Sequence, residues 1–225
     1  MSERLLTHVD FRDKILKLIG SLAKTRAVAA VGDPQKSKEL LNLARESSRV
    51  RKWLKFLRIL RTIRSVPKQF ALDTDPLTRA EAAADVLQMV TEDLATLQSS
   101  GFWSGILGAQ KIPGLADFED KTWFIWAGLA LVVSIREWKA AWQEYGVAAA
   151  KEGTEDEEKF PKTAAEKRLI AASVACLKFL CELGDSGIAV APAGWKKGRE
   201  GSLIVVSAAL GSISALCSLH KFLKN

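Results

Sequence analysis

The 225-residue sequence has few of the residues from which enzyme sites are usually built. Its two histidines, His8 and His220, lie near opposite ends of the chain, so they offer neither a metal site nor a clear catalytic base. The glycines and lysines of residues 194–201 do not follow the GxxxxGK order of a phosphate-binding loop, and a turn is expected there instead. We therefore expect a protein that is not an enzyme and that holds no metal and no cofactor.

Cysteine is also scarce. The three cysteines, Cys176, Cys181 and Cys217, form no CxxC pair and sit in apolar helical runs. Such positions are typical of buried free thiols in a reducing compartment. Residues 1–20 carry charges throughout and lack the apolar core of a secretory signal peptide, a pattern that is compatible with insertion into a membrane from the cytosol.

The most distinctive stretch, residues 45–68, is basic and largely free of acidic residues. Eight of the 33 lysines and arginines lie between Arg49 and Lys68, and the next carboxylate is Asp73. On a helix, the apolar residues of this stretch fall on one broad arc, and the cations lie opposite that arc or at its borders. A basic amphipathic helix with a tryptophan on its apolar side is what an anionic membrane surface selects. The predicted membrane-binding residues are Arg49, Arg51, Lys52, Trp53, Leu54, Lys55, Leu57, Arg58, Leu60, Arg61, Ile63 and Arg64.

One helix is expected before this stretch, and a second helix is expected to contain it. Asp10 is expected to cap the first helix. Asp33 followed by Pro34 then starts a second helix of about thirty residues, which runs without a break to Pro67. The apolar face of the first helix consists of Phe11, Ile15, Leu18, Ile19 and Leu22.

A third helix is predicted from the start signal Asp75-Pro76 to the end signal Ser100-Gly101. This helix is acidic, so it is able to lie against the basic helix and neutralise it, which is the alternative to membrane binding. Its apolar stripe consists of Leu87, Val90, Leu94 and Leu97. Its acidic residues are Glu81, Asp85, Glu92 and Asp93.

Two later segments are candidates for membrane insertion. Residues 122–135 carry no charge over fourteen residues, about 21 Å of helix, and we predict that they are membrane-embedded. The alternative is an ordinary buried core helix. Residues 201–219 carry no charge over nineteen residues, about 28 Å of helix, and are the better transmembrane candidate. The tryptophans expected to form two interfacial belts around the first segment are Trp123, Trp126, Trp138 and Trp142.

The expected fold is all-α, a helical membrane protein. It divides into an N-terminal amphipathic helical region (1–100), a membrane-associated region (101–145), an acidic linker (146–162) and C-terminal helices with a terminal span (163–225). Within the last region, 164–183 is expected to be helical and 184–201 to be a glycine-rich loop. In the terminal span, Ser207, Gly211 and Ala215 repeat every four residues and predict a face for close helix packing or oligomerisation.

The charge distribution bears on orientation. If residues 122–135 and 201–219 both cross the membrane, the two termini lie on the same side. Residues 1–121 contain twenty lysines and arginines against eleven in residues 136–200, which favours cytosolic termini.

Three stretches resemble the peroxin-11 family. Residues 10–15 (DFRDKI) are similar to the family's early DGRDK-type helix start, with phenylalanine in place of the usual glycine. Residues 44–63 (ARESSRVRKWLKFLRILRTI) resemble the family's S-x-x-R-K-x-x-R-x-x-K-F amphipathic helix. Residues 177–185 (LKFLCELGD), a loop and the Gly/Ser-rich run 201–219 follow the family's C-terminal order.

The resemblance implies a peroxisomal membrane protein that binds and curves an anionic phospholipid membrane before fission and proliferation. It also implies homo-oligomers and contacts with fission-machinery proteins. Two alternatives remain. One is a pore or channel-like membrane protein whose spans are lined by Ser207, Ser212 and Ser214; the other is a soluble helical bundle that binds an acidic protein or nucleic acid. The wide, bulky apolar arc of the basic helix favours lipid over nucleic acid, so no nucleic-acid partner is expected.

Overall fold

The computed structural model describes residues 3–30, 32–56, 75–105, 110–150 and 162–223. As predicted, these residues form helices and include no β-strand. The helices are α1 (Glu3–Ala29), α2 (Pro34–Lys55), α3 (Pro76–Ser99), α4 (Phe102–Gly105), α5 (Leu115–Ala150), α6 (Lys162–Val190), α7 (Ala193–Lys196) and α8 (Glu200–Leu223).

The long helices form a closed ring. Going around the ring, the neighbours are α1, α2, α3, α5, α6 and α8, and α8 packs against α1 again. The contact between α2 and α3 is the smallest of the six. The basic helix α2 therefore packs mainly against α1, and its contact with α3 is the smallest in the ring.

Two predicted helix starts are confirmed. The Asp33 carboxylate accepts a hydrogen bond from the backbone N–H of Lys36 at 3.0 Å, and Asp75 accepts one from Thr78 at 3.1 Å. In both helices proline follows the cap, where its missing N–H leaves no hydrogen bond unmade. Ser100 is the C-terminal cap of α3, as predicted.

Other predicted boundaries are wrong. Helix α1 begins at Glu3, so Asp10 lies inside it rather than at its cap. Helix α2 ends at Lys55, because Phe56 leaves the helical conformation with φ −48° and ψ 136°. Lysines in the last turn of α2 complement the partial negative charge of a helix end, which favours a stop there. The remainder of the predicted helix, residues 57–67, lies outside the described residues.

The described start of the predicted linker, residues 146–150, and much of the predicted glycine-rich loop are also helical. Helix α5 continues through Gly146 to Ala150, and α6 continues through Gly184 and Gly187 to Val190. A Cβ on Gly184 would lie 3.0 Å from a methyl group of Leu210, and one on Gly187 would lie 3.6 Å from the Phe124 ring. These glycines permit close packing of α6 on α8 and α5.

The interior of the ring is built from small and polar side chains. The predicted apolar faces of α1 and α3 lie partly on the outside instead, with Leu22 52% and Leu87 47% exposed, while Ile15, Leu18, Leu94 and Leu97 are half-buried. The inward sides carry groups that hydrogen-bond or ion-pair with neighbouring helices, and these interactions set the orientation. The buried polar residues of α1 and α3 are Asp13, Ser21, Gln88, Thr91, Glu92 and Thr96.

Judged by length and composition, α8 is the one candidate membrane span among the described residues. The candidate covers Glu200–His220 with a mean hydropathy of 2.0, which agrees with the predicted terminal span. The segment 122–135 forms the middle of α5 but does not meet this criterion.

Candidate membrane-binding segment

Helix α2 turns its apolar edge outward and its last cations inward. Val50 and Trp53 are 47% and 43% exposed. Arg49 is also exposed and pairs with Glu46 of the same helix at 3.0 Å. Its neighbours Arg51, Lys52 and Lys55 instead reach three different helices across the ring.

Arg51 reaches α1. Its Nε lies 3.0 Å from the carboxylate of Asp13, which is buried and also pairs with Lys14 at 3.0 Å. Burial opposes ionisation of this carboxyl, but the nearby charges of Lys55, Arg51 and Lys14 outweigh burial and hold the pKa of Asp13 well below its usual range. Asp13 is therefore a buried anion that binds α2 to α1.

Lys52 reaches α5. Its Nζ lies 2.7 Å and 2.9 Å from the two carboxylate oxygens of Glu119. Burial raises the pKa of Glu119 by more than the charge of Lys52 lowers it. Desolvation thus offsets much of the attraction within this pair, so the pair orients α2 more than it stabilises the fold.

Lys55 reaches α3. Its Nζ lies 3.3 Å from Glu92, which also accepts a hydrogen bond from Gln88 at 3.0 Å. The same ammonium sits 5.0 Å from the ring centroid of Trp123. Burial lowers the pKa of Lys55 by more than Glu92 and Asp13 raise it. The expected contact between the basic helix and the acidic third helix is thus present, with Glu92 as the acid opposite Lys55.

These cations line a polar cavity of about 360 Å³ inside the ring. Lys17 of α1 also lines the cavity and joins a buried network, with its Nζ 3.1 Å from Glu182 and 2.8 Å from the Ser214 hydroxyl. That hydroxyl donates to Glu182 at 2.8 Å. The network ties α1, α6 and α8 together around a charge pair.

The small residues of α8 pack within the chain. Ser207 donates a hydrogen bond to Asp185 of α6, and Ala215 is completely buried. A Cβ on Gly211 would lie 2.7 Å from the Ser21 hydroxyl of α1. The predicted packing face therefore serves the contacts of α8 with its two neighbours in the ring.

The tryptophan belts were predicted incorrectly at Trp126. This side chain is buried in the apolar cluster with Ala127 and Ala130, and its indole N–H donates to Glu81 at 3.1 Å. Trp142 is 57% exposed, as an interfacial residue would be. Helical spacing alone does not separate the two positions, because the acid that satisfies Trp126 lies on another helix.

The described residues include the first six of the twelve predicted membrane-binding residues, from Arg49 to Lys55. The predicted residues Leu57, Arg58, Leu60, Arg61, Ile63 and Arg64 lie outside the described residues. Sequence reasoning missed Asp13, Lys17 and Glu119 as partners in the interior. A signal was present for α1, because Asp13, Lys17, Gly20 and Lys24 follow each other at helical spacing and mark its inward face.

The long helices, their polar interior and the single candidate span found among the described residues define an all-α protein. The chain belongs to the family described as Peroxisomal biogenesis factor 11 (PEX11), whose sequence model matches residues 2–223. This match covers nearly the whole chain, confirms the resemblance to the peroxin-11 family and makes the protein a peroxisomal biogenesis factor. No curated protein and no solved structure matches the chain.

Proposed function

We propose that this protein binds and curves the peroxisomal membrane through residues 45–68, and thereby promotes peroxisome elongation, division and proliferation. One observation carries the proposal. The apolar edge of α2, at Val50 and Trp53, faces away from the bundle at the point where the basic stretch continues. Family membership adds the expectation of self-association and contacts with fission-machinery proteins, and the charge distribution adds that of cytosolic termini.

The cations of α2 divide into two groups. A lysine or arginine near an anionic lipid surface gains about 1 kcal/mol. Breaking a buried ion pair so that one charge stays unpaired costs roughly 3–5 kcal/mol. Lipid therefore does not displace the partners of Arg51, Lys52 and Lys55, and these residues position α2. Arg49 and the later cations Arg58, Arg61 and Arg64 are the ones we assign to lipid phosphates.

Curvature then follows from shallow insertion. Burial of Val50, Trp53 and the following apolar residues contributes about 25 cal/mol per Å² of apolar surface. A helix that enters one leaflet to headgroup depth enlarges that leaflet and favours bending toward it. The candidate span α8 holds the protein at the membrane, so weak insertions of many copies add together.

Liposome tubulation tests this function. The full chain is reconstituted in liposomes with anionic phospholipid, and tubules are counted by electron microscopy. We expect Val50→Glu with Trp53→Glu to abolish tubulation, because charged side chains oppose insertion. Leu41→Glu is the matched control, since Leu41 is an exposed apolar residue of α2 that lies about 18 Å along the helix from Trp53. Tubulation by the double variant at the level of the control would contradict the proposal.

A pore is the second candidate, favoured by the closed ring and its polar cavity. Of the predicted lining serines, Ser207 lines the cavity, whereas Ser214 is held by Lys17 and Glu182. Conductance across planar bilayers separates this candidate from membrane remodelling. A steady conductance that Ser207→Trp blocks would support it, and sealed bilayers at the same protein density would exclude it.

A further inference from the structure

We propose that α3 and α6 are embedded in the hydrocarbon of the bilayer together with α8, with lipid acyl chains covering their outer faces. This inference concerns the body of the bundle and does not depend on insertion of α2. It follows from the side on which each helix carries its charges.

Helix α3 contains five charged residues, of which Glu92 is buried and the other four are half-buried. Over its 24 residues the helix is about 36 Å long, which exceeds the roughly 30 Å of a bilayer's hydrocarbon core. The most exposed side of the helix therefore carries no charged residue. The exposed residues of α3 are Pro76, Ala80, Ala83, Leu87, Val90 and Ser99.

Helix α6 repeats the pattern from Leu169 to Val190, a length of about 33 Å. The charged residues in this range, Lys178, Glu182 and Asp185, are buried or half-buried. Leu180 is 57% exposed on the opposite side. The exposed residues of the range are Ile170, Ala171, Ser173, Leu177, Leu180 and Ala189.

Several polar groups of both helices are bonded inside the ring. Thr91 of α3 shares a hydrogen bond of 2.9 Å with Thr122 of α5, and Glu92 pairs with Lys55. In α6, Glu182 pairs with Lys17 and accepts from Ser214. Hydrocarbon requires this arrangement, because polar groups have no water there and must find partners within the protein.

Length and composition alone do not mark α3 and α6 as membrane spans, because all charged residues of a helix count equally there, whichever face they lie on. Helix α2 shows that the charge-free faces are not a general property of the fold. It has six exposed charged residues spread along its length, so its outer side suits water or headgroups. These residues are Lys36, Lys38, Glu39, Arg45, Glu46 and Arg49.

Photo-crosslinking tests the proposal on the unmodified protein. The full chain is reconstituted in liposomes that contain a phospholipid with a diazirine near the end of its acyl chain, and the crosslinked residues are mapped by mass spectrometry. We expect adducts on Leu87, Val90, Leu177 and Leu180, and at least tenfold fewer on residues 34–49 of α2. Adducts confined to α8, or equal on α2 and α3, would overturn the proposal.

Thiol labelling provides an independent readout. Single cysteines replace Leu87, Leu180 and, as the aqueous control, Arg45 in a chain whose native cysteines are alanine. A charged maleimide should label the first two at least tenfold more slowly than the control in liposomes, and all three equally in denaturing detergent. Equal rates in liposomes would contradict embedding. The tubulation experiment on α2 is unaffected by either outcome, so the two proposals succeed or fail separately.

Discussion

The interior of this bundle holds mainly small and polar side chains, while its exterior combines large apolar side chains with the exposed charges of α2 and α5. Alanines, serines, threonines and ion pairs fill the interior, while leucines, isoleucines, valines and tryptophans are common on the exterior. In a soluble helix the large apolar stripe faces the core. The difference indicates that small residues, hydrogen bonds and charge pairs hold these helices together, as is typical of helices that associate within a membrane.

The largest change in stability is expected when an ion pair in the interior is broken. Glu92→Leu leaves Lys55 buried without its carboxylate and should lower the free energy of unfolding by roughly 3–5 kcal/mol. Denaturation in mild detergent, followed by circular dichroism, measures this change. The matched double variant, Lys55→Met with Glu92→Leu, removes both charges and should recover most of the loss. A double variant no more stable than the single one would show that Lys55 does not need this partner.

A smaller effect separates the two sides of one helix. Met89 of α3 is 1% exposed, and Met89→Ala should cost about 2–5 kcal/mol in detergent. Leu87, two positions earlier, faces outward, so Leu87→Ala should cost about 0.5 kcal/mol or less. Equal losses for the two alanine variants in the same denaturation assay would contradict the assigned orientation of α3.

The next largest change in stability is expected where α8 approaches α1 closely. Gly211→Leu places a side chain where a Cβ already lies 2.7 Å from the Ser21 hydroxyl, and should cost about 1–3 kcal/mol. Gly201→Leu on the same helix is the control, because a Cβ there meets no atom within 4 Å. Melting temperatures in detergent compare the two variants, and a control that is destabilised as much as Gly211→Leu would argue against tight packing at this contact.

The smallest effect concerns pH at the exposed start of α3. The hydrogen bond from Arg136 at 2.8 Å and that from the Thr78 N–H lower the pKa of Asp75 from 3.8. Because the folded pKa is lowered, the ionised group stabilises the fold above about pH 4, and this contribution disappears as pH falls through the lower folded value. Asp75→Asn should therefore reduce the acid dependence of the melting temperature slightly below pH 4. If the pH profile of the melting temperature is unchanged, ionised Asp75 does not stabilise the fold.

The sequence allowed the helical class, the two Asp-Pro helix starts and the terminal span to be predicted, because each depends on residues close together in the chain. The orientation of the helices was not predictable in the same way. Periodicity divides α1 and α3 into two faces, but it does not say which face lies inward. The decisive partners are distant: Asp13 and Arg51 are 38 residues apart, and Lys17 and Glu182 are 165 apart.

The most direct test of membrane embedding is the collision profile of spin labels along α3 in lipid nanodiscs. Labels placed one at a time on residues 80–97 report contact with oxygen, which concentrates in hydrocarbon, and with a water-soluble nickel chelate. We predict oxygen maxima at Ala80, Ala83, Leu87 and Val90 in step with the 3.6-residue period. We predict low nickel contact at these same positions. Nickel maxima at these positions would show that water covers the outer face of α3, and would contradict the account.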